Sequence, residues 1–129
     1  MSAELINIID CAVRLKARNI HFKLTEVGDI RILLHEGQVM VAILNLDFKA
    51  YKKILTYIEL HTTFDISNQK IREGKLILNN YPDTLECYVS ILMTPKFKSL
   101  ILHIKKPLIN YKSSQRILER LCSRLIADP

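Results

Sequence analysis

The sequence is poor in the residues that build phosphate loops, disulfide frameworks and stacking platforms. Its 129 residues include 3 glycines, 3 cysteines and no tryptophan, and aromatic residues make up 7% of the chain. A P-loop needs a glycine-rich turn followed by lysine and a hydroxyl residue, GxxxxGK[ST], and Gly28, Gly37 and Gly74 stand in no such setting. The chain by itself is therefore expected to hydrolyse no ATP, and no residue is assigned as catalytic. Cys11, Cys87 and Cys122 are widely spaced with no CxxC pair, which argues against a thiolate zinc knuckle and a disulfide scaffold. Buried free thiols are expected instead. No apolar run is long enough to span a bilayer, and Glu4 and Asp10 fall where a signal peptide needs a cationic start and an apolar core. A cytoplasmic protein is expected.

What remains is an ordinary globular composition, 49% hydrophobic and 25% charged, in a length that fits one domain. The net charge of +6 is unevenly spread. Residues 1 to 64 carry 8 basic and 7 acidic side chains, while residues 65 to 129 carry 11 and 6. A basic surface toward the C-terminus follows.

Leu5, Ile9, Ala12, Val13 and Leu15 recur at helical spacing, and predict a first helix running to about Ala17. Two β-prone runs, 19–24 and 30–34, flank a polar turn containing Gly28 and predict a hairpin. Its first strand alternates Ile20, Phe22 and Leu24 with His21 and Lys23. Its second is apolar except at Arg31, as expected of an inner strand, so Leu33→Asp is expected to unfold the domain. Glu36-Gly37 turns the chain into a third strand, 39–44. Asp47 can then cap a second helix whose apolar stripe is Phe48, Tyr51, Ile54, Leu55 and Ile58. Residues 62–70 read as a connection with a short helical turn near Asp65 to Asn68, and structure is expected to resume at Gly74. Three further strands, 75–78, 85–93 and 99–104, form a meander. A last helix carries Ile117, Leu118, Leu121 and Leu125 on one side and a basic ridge of Arg116, Arg120 and Arg124 on another. The fold class is α+β, a mainly antiparallel sheet of about six strands with three helices. A single domain is expected over residues 1–106, followed by a linker and basic helix over 107–129.

The succession of a first helix, Asn19-Ile20-His21-Phe22, a hairpin, an amphipathic helix, Phe64-Asp65-Ile66-Ser67, the Arg72-Glu73-Gly74-Lys75 turn, Tyr88 to Thr94 and Leu100 to Ile104 resembles a known family. It is similar to the PAS-like N-terminal domain of the secretion and pilus-assembly traffic ATPases (GspE and PilB type), and within them to the competence pseudopilus branch (ComGA type). The resemblance covers residues 3 to 104. It implies a sheet with helices on one face, preceding a RecA-like motor domain that binds ATP and Mg. It further implies a contact between this domain and the motor of its own or a neighbouring subunit in a hexamer. The implied setting is a membrane platform at the inner face of the cell membrane, where such ATPases drive pseudopilus assembly and DNA uptake in transformation. The residues aligned with the family's nucleotide and subunit contacts are Arg72, Lys75 and Tyr88; at the last two the family offers arginine. Lysine meets a phosphate only as a point charge and tyrosine does not neutralise it.

Two other function classes fit the residues. One is a free-standing PAS-like module that binds a ligand or partner; the other, weaker, is a small basic nucleic-acid-binding protein. Tyr51, Tyr81 and Tyr88 are not interleaved with basic residues as a stacking platform requires, so no direct DNA binding is expected. His21, His35, His61 and His103 lie at no ligand spacing, and neither a metal nor another cofactor is assigned to this chain. The Arg116, Arg120 and Arg124 ridge is either the solvated side of a packed helix or a contact for an acidic partner.

Overall fold

A computed structural model describes residues 3–78 and 84–107. Helix α1 (Ala3–Arg14) leads into strands β1 (Asn19–Leu24), β2 (Ile30–Glu36) and β3 (Val39–Leu46), then helix α2 (Phe48–His61). Strands β4 (Thr63–Ser67), β5 (Ile71–Leu78), β6 (Leu85–Met93) and β7 (Lys98–Pro107) follow. All pairings are antiparallel, in one seven-stranded sheet of order β3-β2-β1-β7-β6-β5-β4. The two meanders thus meet at the β1–β7 seam. The expected α+β class with a mainly antiparallel sheet is observed, but with seven strands and, among the described residues, two helices rather than six and three. The expected third helix with Arg116, Arg120 and Arg124 lies outside the described residues.

Helix α1 ends at Arg14, three residues before the expected end, because Lys16 adopts a left-handed backbone at φ 59. The Ala17 N–H then reaches back to the Ala12 carbonyl at 2.8 Å, and the Lys16 N–H to that of Val13 at 3.1 Å. These paired bonds close the helix by satisfying carbonyls that would otherwise be orphaned. The start of α2 follows the sequence reading: the Asp47 carboxylate accepts the Ala50 N–H at 2.7 Å.

Strand residues alternate between a helix-covered face and an open face. Ile20 and Phe22 of β1, Ile32 and Leu34 of β2, Leu85, Cys87, Val89 and Ile91 of β6, and Leu100, Leu102 and Ile104 of β7 all point into the core. There they meet Leu5, Ile8 and Ile9 of α1 and Tyr51, Ile54 and Ile58 of α2. Tyr51 locks α2 to the sheet: its hydroxyl accepts the Leu100 N–H at 3.1 Å and donates to the Lys98 carbonyl. Its ring stacks on Phe97 at 5.2 Å between centroids. Burial raises the Tyr51 pKa well above the ordinary phenol value, so the hydroxyl stays a neutral donor.

Leu33 is only half-buried because it faces the open side, next to the core residue Ile32. Strand β2 is internal as expected, yet only alternate residues are core. Leu24, which shares the alternation of Ile20 and Phe22, is exposed at the hairpin end.

The larger differences lie between residues 62 and 75. Thr63–Ser67 is an edge strand rather than a connection with a helical turn, and Arg72 to Lys75 runs inside β5 rather than forming a turn. The reversal falls earlier, where the Asn68 side-chain oxygen accepts the N–H groups of Lys70 and Ile71 at 2.8 and 3.0 Å. Gly74 serves a close approach there: a Cβ on it would lie 2.2 Å from the Thr63 carbonyl oxygen and 2.7 Å from Phe64 Cα.

Candidate functional site

Arg72 and Lys75 are an odd number of positions apart on one strand, so they leave the sheet on opposite faces. Arg72 lies on the helix side. Its Nη1 is 2.9 Å from Glu59 Oε2 of α2, and its guanidinium lies 4.0 Å from the Phe64 ring centroid. Lys98 Nζ shares the same carboxylate oxygen at 3.1 Å. This arginine already has a carboxylate and an aromatic face, and it ties β5 to α2.

Lys75 and Tyr88 are direct cross-strand partners on the open face. Lys75 Nζ pairs with Glu86 Oε1 at 2.9 Å, and that hydrogen bond holds the Glu86 carboxyl below its usual pKa. The Tyr88 hydroxyl accepts from Lys105 Nζ at 2.9 Å, while the same ammonium sits 4.9 Å from the Tyr88 ring centroid. Both contacts favour the charged amine, and the Lys105 pKa is raised, chiefly by the hydrogen bond to Tyr88. The His103 ring also stacks with that of Tyr88, at 6.5 Å between centroids, with Nδ1 2.8 Å from Asn19 Oδ1. His103 is half-buried within this row.

The structure therefore brings Lys75 and Tyr88 together and leaves Arg72 behind the sheet. It adds Lys105, Glu86, His103 and Asn19, which the sequence reading did not join to the site. Lys105 lies two residues beyond His103, the cross-strand partner of Tyr88, and beside a register shift between Glu86 and Cys87. A shallow groove of ≈ 710 Å³ runs over this region, lined by Lys75, Tyr88, Ser90, Glu73, Ile66 and His61 among others. The arrangement offers two lysine charges beside an aromatic ring and one carboxylate. It can hold an anionic or polar group electrostatically, with no nucleophile paired to a base.

Elsewhere the reactive residue types are spoken for. Burial pushes the Cys87 thiol up to about 12, so it carries no thiolate at neutral pH. Cys11 is disulfide-bonded, which corrects the expected free thiol: cysteine spacing is silent about pairings made in three dimensions. His21 and His35 lie 4.9 Å apart between ring centroids on the open face, and His61 packs on Tyr57 at 4.2 Å. Among the described residues no three His, Cys, Asp or Glu side chains converge as a metal site, and no helix is long and apolar enough to cross a membrane. Comparison of the chain with protein-family models and with curated proteins finds no match.

Proposed function

We propose that this chain is the PAS-like N-terminal subunit-contact and regulatory domain of a traffic ATPase of the secretion and pilus-assembly type, in the competence branch that powers pseudopilus assembly and DNA uptake. One observation carries the reading. Of the segments that bear the resemblance, 19–22, 100–104, most of 88–94, 72–75 and 64–67 fall on β1, β7, β6, β5 and β4, five consecutive strands of one sheet. Segments scattered over the sequence thus lie side by side in one sheet, and their open-face members Lys75 and Tyr88 become direct cross-strand neighbours.

In this reading the domain does no chemistry of its own. ATP and Mg belong to the RecA-like motor, and the domain meets that motor, in its own or a neighbouring subunit of a hexamer, through the open face around Lys75, Tyr88 and Lys105. The contact is made by point charges, which attract an anionic surface but lack the fork that an arginine offers. Arg72, already paired with Glu59, serves the domain's own cohesion. The working location is the cytoplasmic side of the membrane, against the platform protein of the pseudopilus machine.

The test is addition of this chain in trans to a hexameric competence-type motor lacking its own N-terminal domain. The chain is expected to bind the motor and change its ATPase rate, with both effects lost in a Lys75→Glu, Lys105→Glu double variant. Absence of binding, or tight ATP binding by this chain alone, would overturn the proposal.

A further inference from the structure

The two edges of the sheet differ in a way that assigns one of them a partner. Strand β4 is short, 5 residues, with its register broken between Phe64 and Ile66 and the charged, exposed Asp65 at that break. Brevity, a bulge and a charge are the devices by which edge strands avoid pairing with other chains. Strand β3 carries a bulge at Val41, where Leu34 and His35 face Ala42 and Met40, but it has neither the brevity nor the charge. Its 8 residues, Val-Met-Val-Ala-Ile-Leu-Asn-Leu, contain no charge, no proline and no glycine. From Ala42 to Leu46 it pairs regularly with β2, and its one irregularity faces the Leu34–His35 step. Val39, Met40, Val41 and Ile43 are all exposed, at 64, 48, 39 and 50%. Along its outer side, alternate residues present backbone N–H and C=O groups with no strand among the described residues to receive them.

We propose that β3 is the interface of a homodimer, in which it pairs antiparallel with β3 of a second copy. Two features select a second copy over a foreign strand. A two-fold axis sets the strand against itself, so a charge near the axis would lie against its own duplicate; β3 carries none along its length. The charge that opposes self-association is also remote. Among the described residues, 3 to 64, which build α1, α2 and β1 to β3, carry 8 basic and 7 acidic side chains, whereas those from 65 on, which supply most of β4 and all of β5 to β7, carry 7 and 3. With the axis normal to the sheet, the two open faces lie on the same side. The row that crosses Leu33 and Ile43 in one copy then continues into Ile43 and Leu33 of the other. The inference stands apart from the traffic-ATPase reading, since it uses neither the resemblance nor the Lys75 site.

Sedimentation of the full 129-residue chain over a concentration series tests it, combined with amide hydrogen exchange at the two ends of that series. A dimer is expected, with amides of β3 slowing in the dimer while those of β4 do not. Ile43→Lys is expected to raise the dimer dissociation constant at least about tenfold. Met40→Lys, at a second exposed position, does the same should the first variant fold poorly. Ile66→Lys on the opposite edge leaves the dimer intact. A chain that stays monomeric throughout, a dimer without β3 protection, or one indifferent to both β3 lysines would overturn the proposal. So would a foreign peptide strand occupying β3 in preference to a second copy.

Discussion

Ile32 and Leu33 are neighbours on one internal strand, yet one belongs to the protein's structure and the other to its surface. Ile32 is 1% exposed beneath the helices, whereas Leu33 looks out across the open face between His21 and Ile43. The same division separates Arg72, held by Glu59 and Phe64, from Lys75, held by Glu86 alone. The helix-covered face spends its side chains on one another. The open face keeps a row of lysine, tyrosine and histidine, with partners that a binding surface could exchange. Strand parity, more than residue type, decides which role a side chain takes.

The sharpest way to break this comparison is to charge both neighbours. Ile32→Asp would bury a carboxylate with no partner among apolar side chains, and is expected to cost more than about 4 kcal/mol and leave no cooperative unfolding transition. Leu33→Asp, with its carboxylate at a half-open site near Arg31, is expected to cost about 1–2 kcal/mol and to remain folded. Denaturant titration measures both, and equal losses would show that the open face is core after all. Next in size is Gly74→Ala. Its Cβ would meet the Thr63 carbonyl at 2.2 Å, so β4 must shift away, at a cost of about 2–3 kcal/mol. An unchanged denaturation midpoint would show that the β4–β5 approach is looser than described.

How far the division could be read in advance depends on local signal. The hairpin, β3 and α2 were legible because their periods are clean and Asp47 supplies a cap whose geometry is purely local. Strand β4 was not, since Thr63-Phe64-Asp65-Ile66-Ser67 is short and half polar, and becomes a strand only because β5 pairs with it. Misreading 72–75 as a turn followed directly, and with it the grouping of Arg72 and Lys75. In a turn the two would share one surface; in a strand they cannot. The pairing of Lys75 with Tyr88 and the approach of Lys105 both depend on strand register, which residue type does not mark. Lys16 is a further case, a left-handed helix stop written without the expected glycine.

The two cations sharpen the comparison at smaller amplitude. Removing Arg72 takes away a part-buried ion pair at 2.9 Å and a stacked contact with Phe64, and leaves Glu59 with Lys98 alone. Arg72→Ala is expected to lose about 1–2 kcal/mol. Lys75→Ala removes an exposed pair that water and salt screen, and is expected to lose less than about 0.5 kcal/mol. The two values should also differ in salt dependence. Thermal melts in low and high salt read both quantities, and a Lys75 loss as large as that of Arg72 would erase the distinction drawn between the faces.

The smallest expected effect belongs to His21. Burial lowers its pKa from the ordinary 6.5, and the neighbouring His35 and Lys23 lower it further. The folded state therefore resists the proton that the unfolded chain accepts, and the unfolded state binds more protons between 6.5 and the lowered value. Stability is unaffected by this group well above 6.5, falls as the pH drops through that window, and levels off below the folded pKa. His21→Gln is expected to flatten that part of the stability–pH curve, read by denaturant titration across the pH range. If His21→Gln changed nothing, the open face would be wet enough at β1 for its histidine to titrate as it does in the unfolded chain. The contrast between the two sides of the sheet would then rest on packing alone.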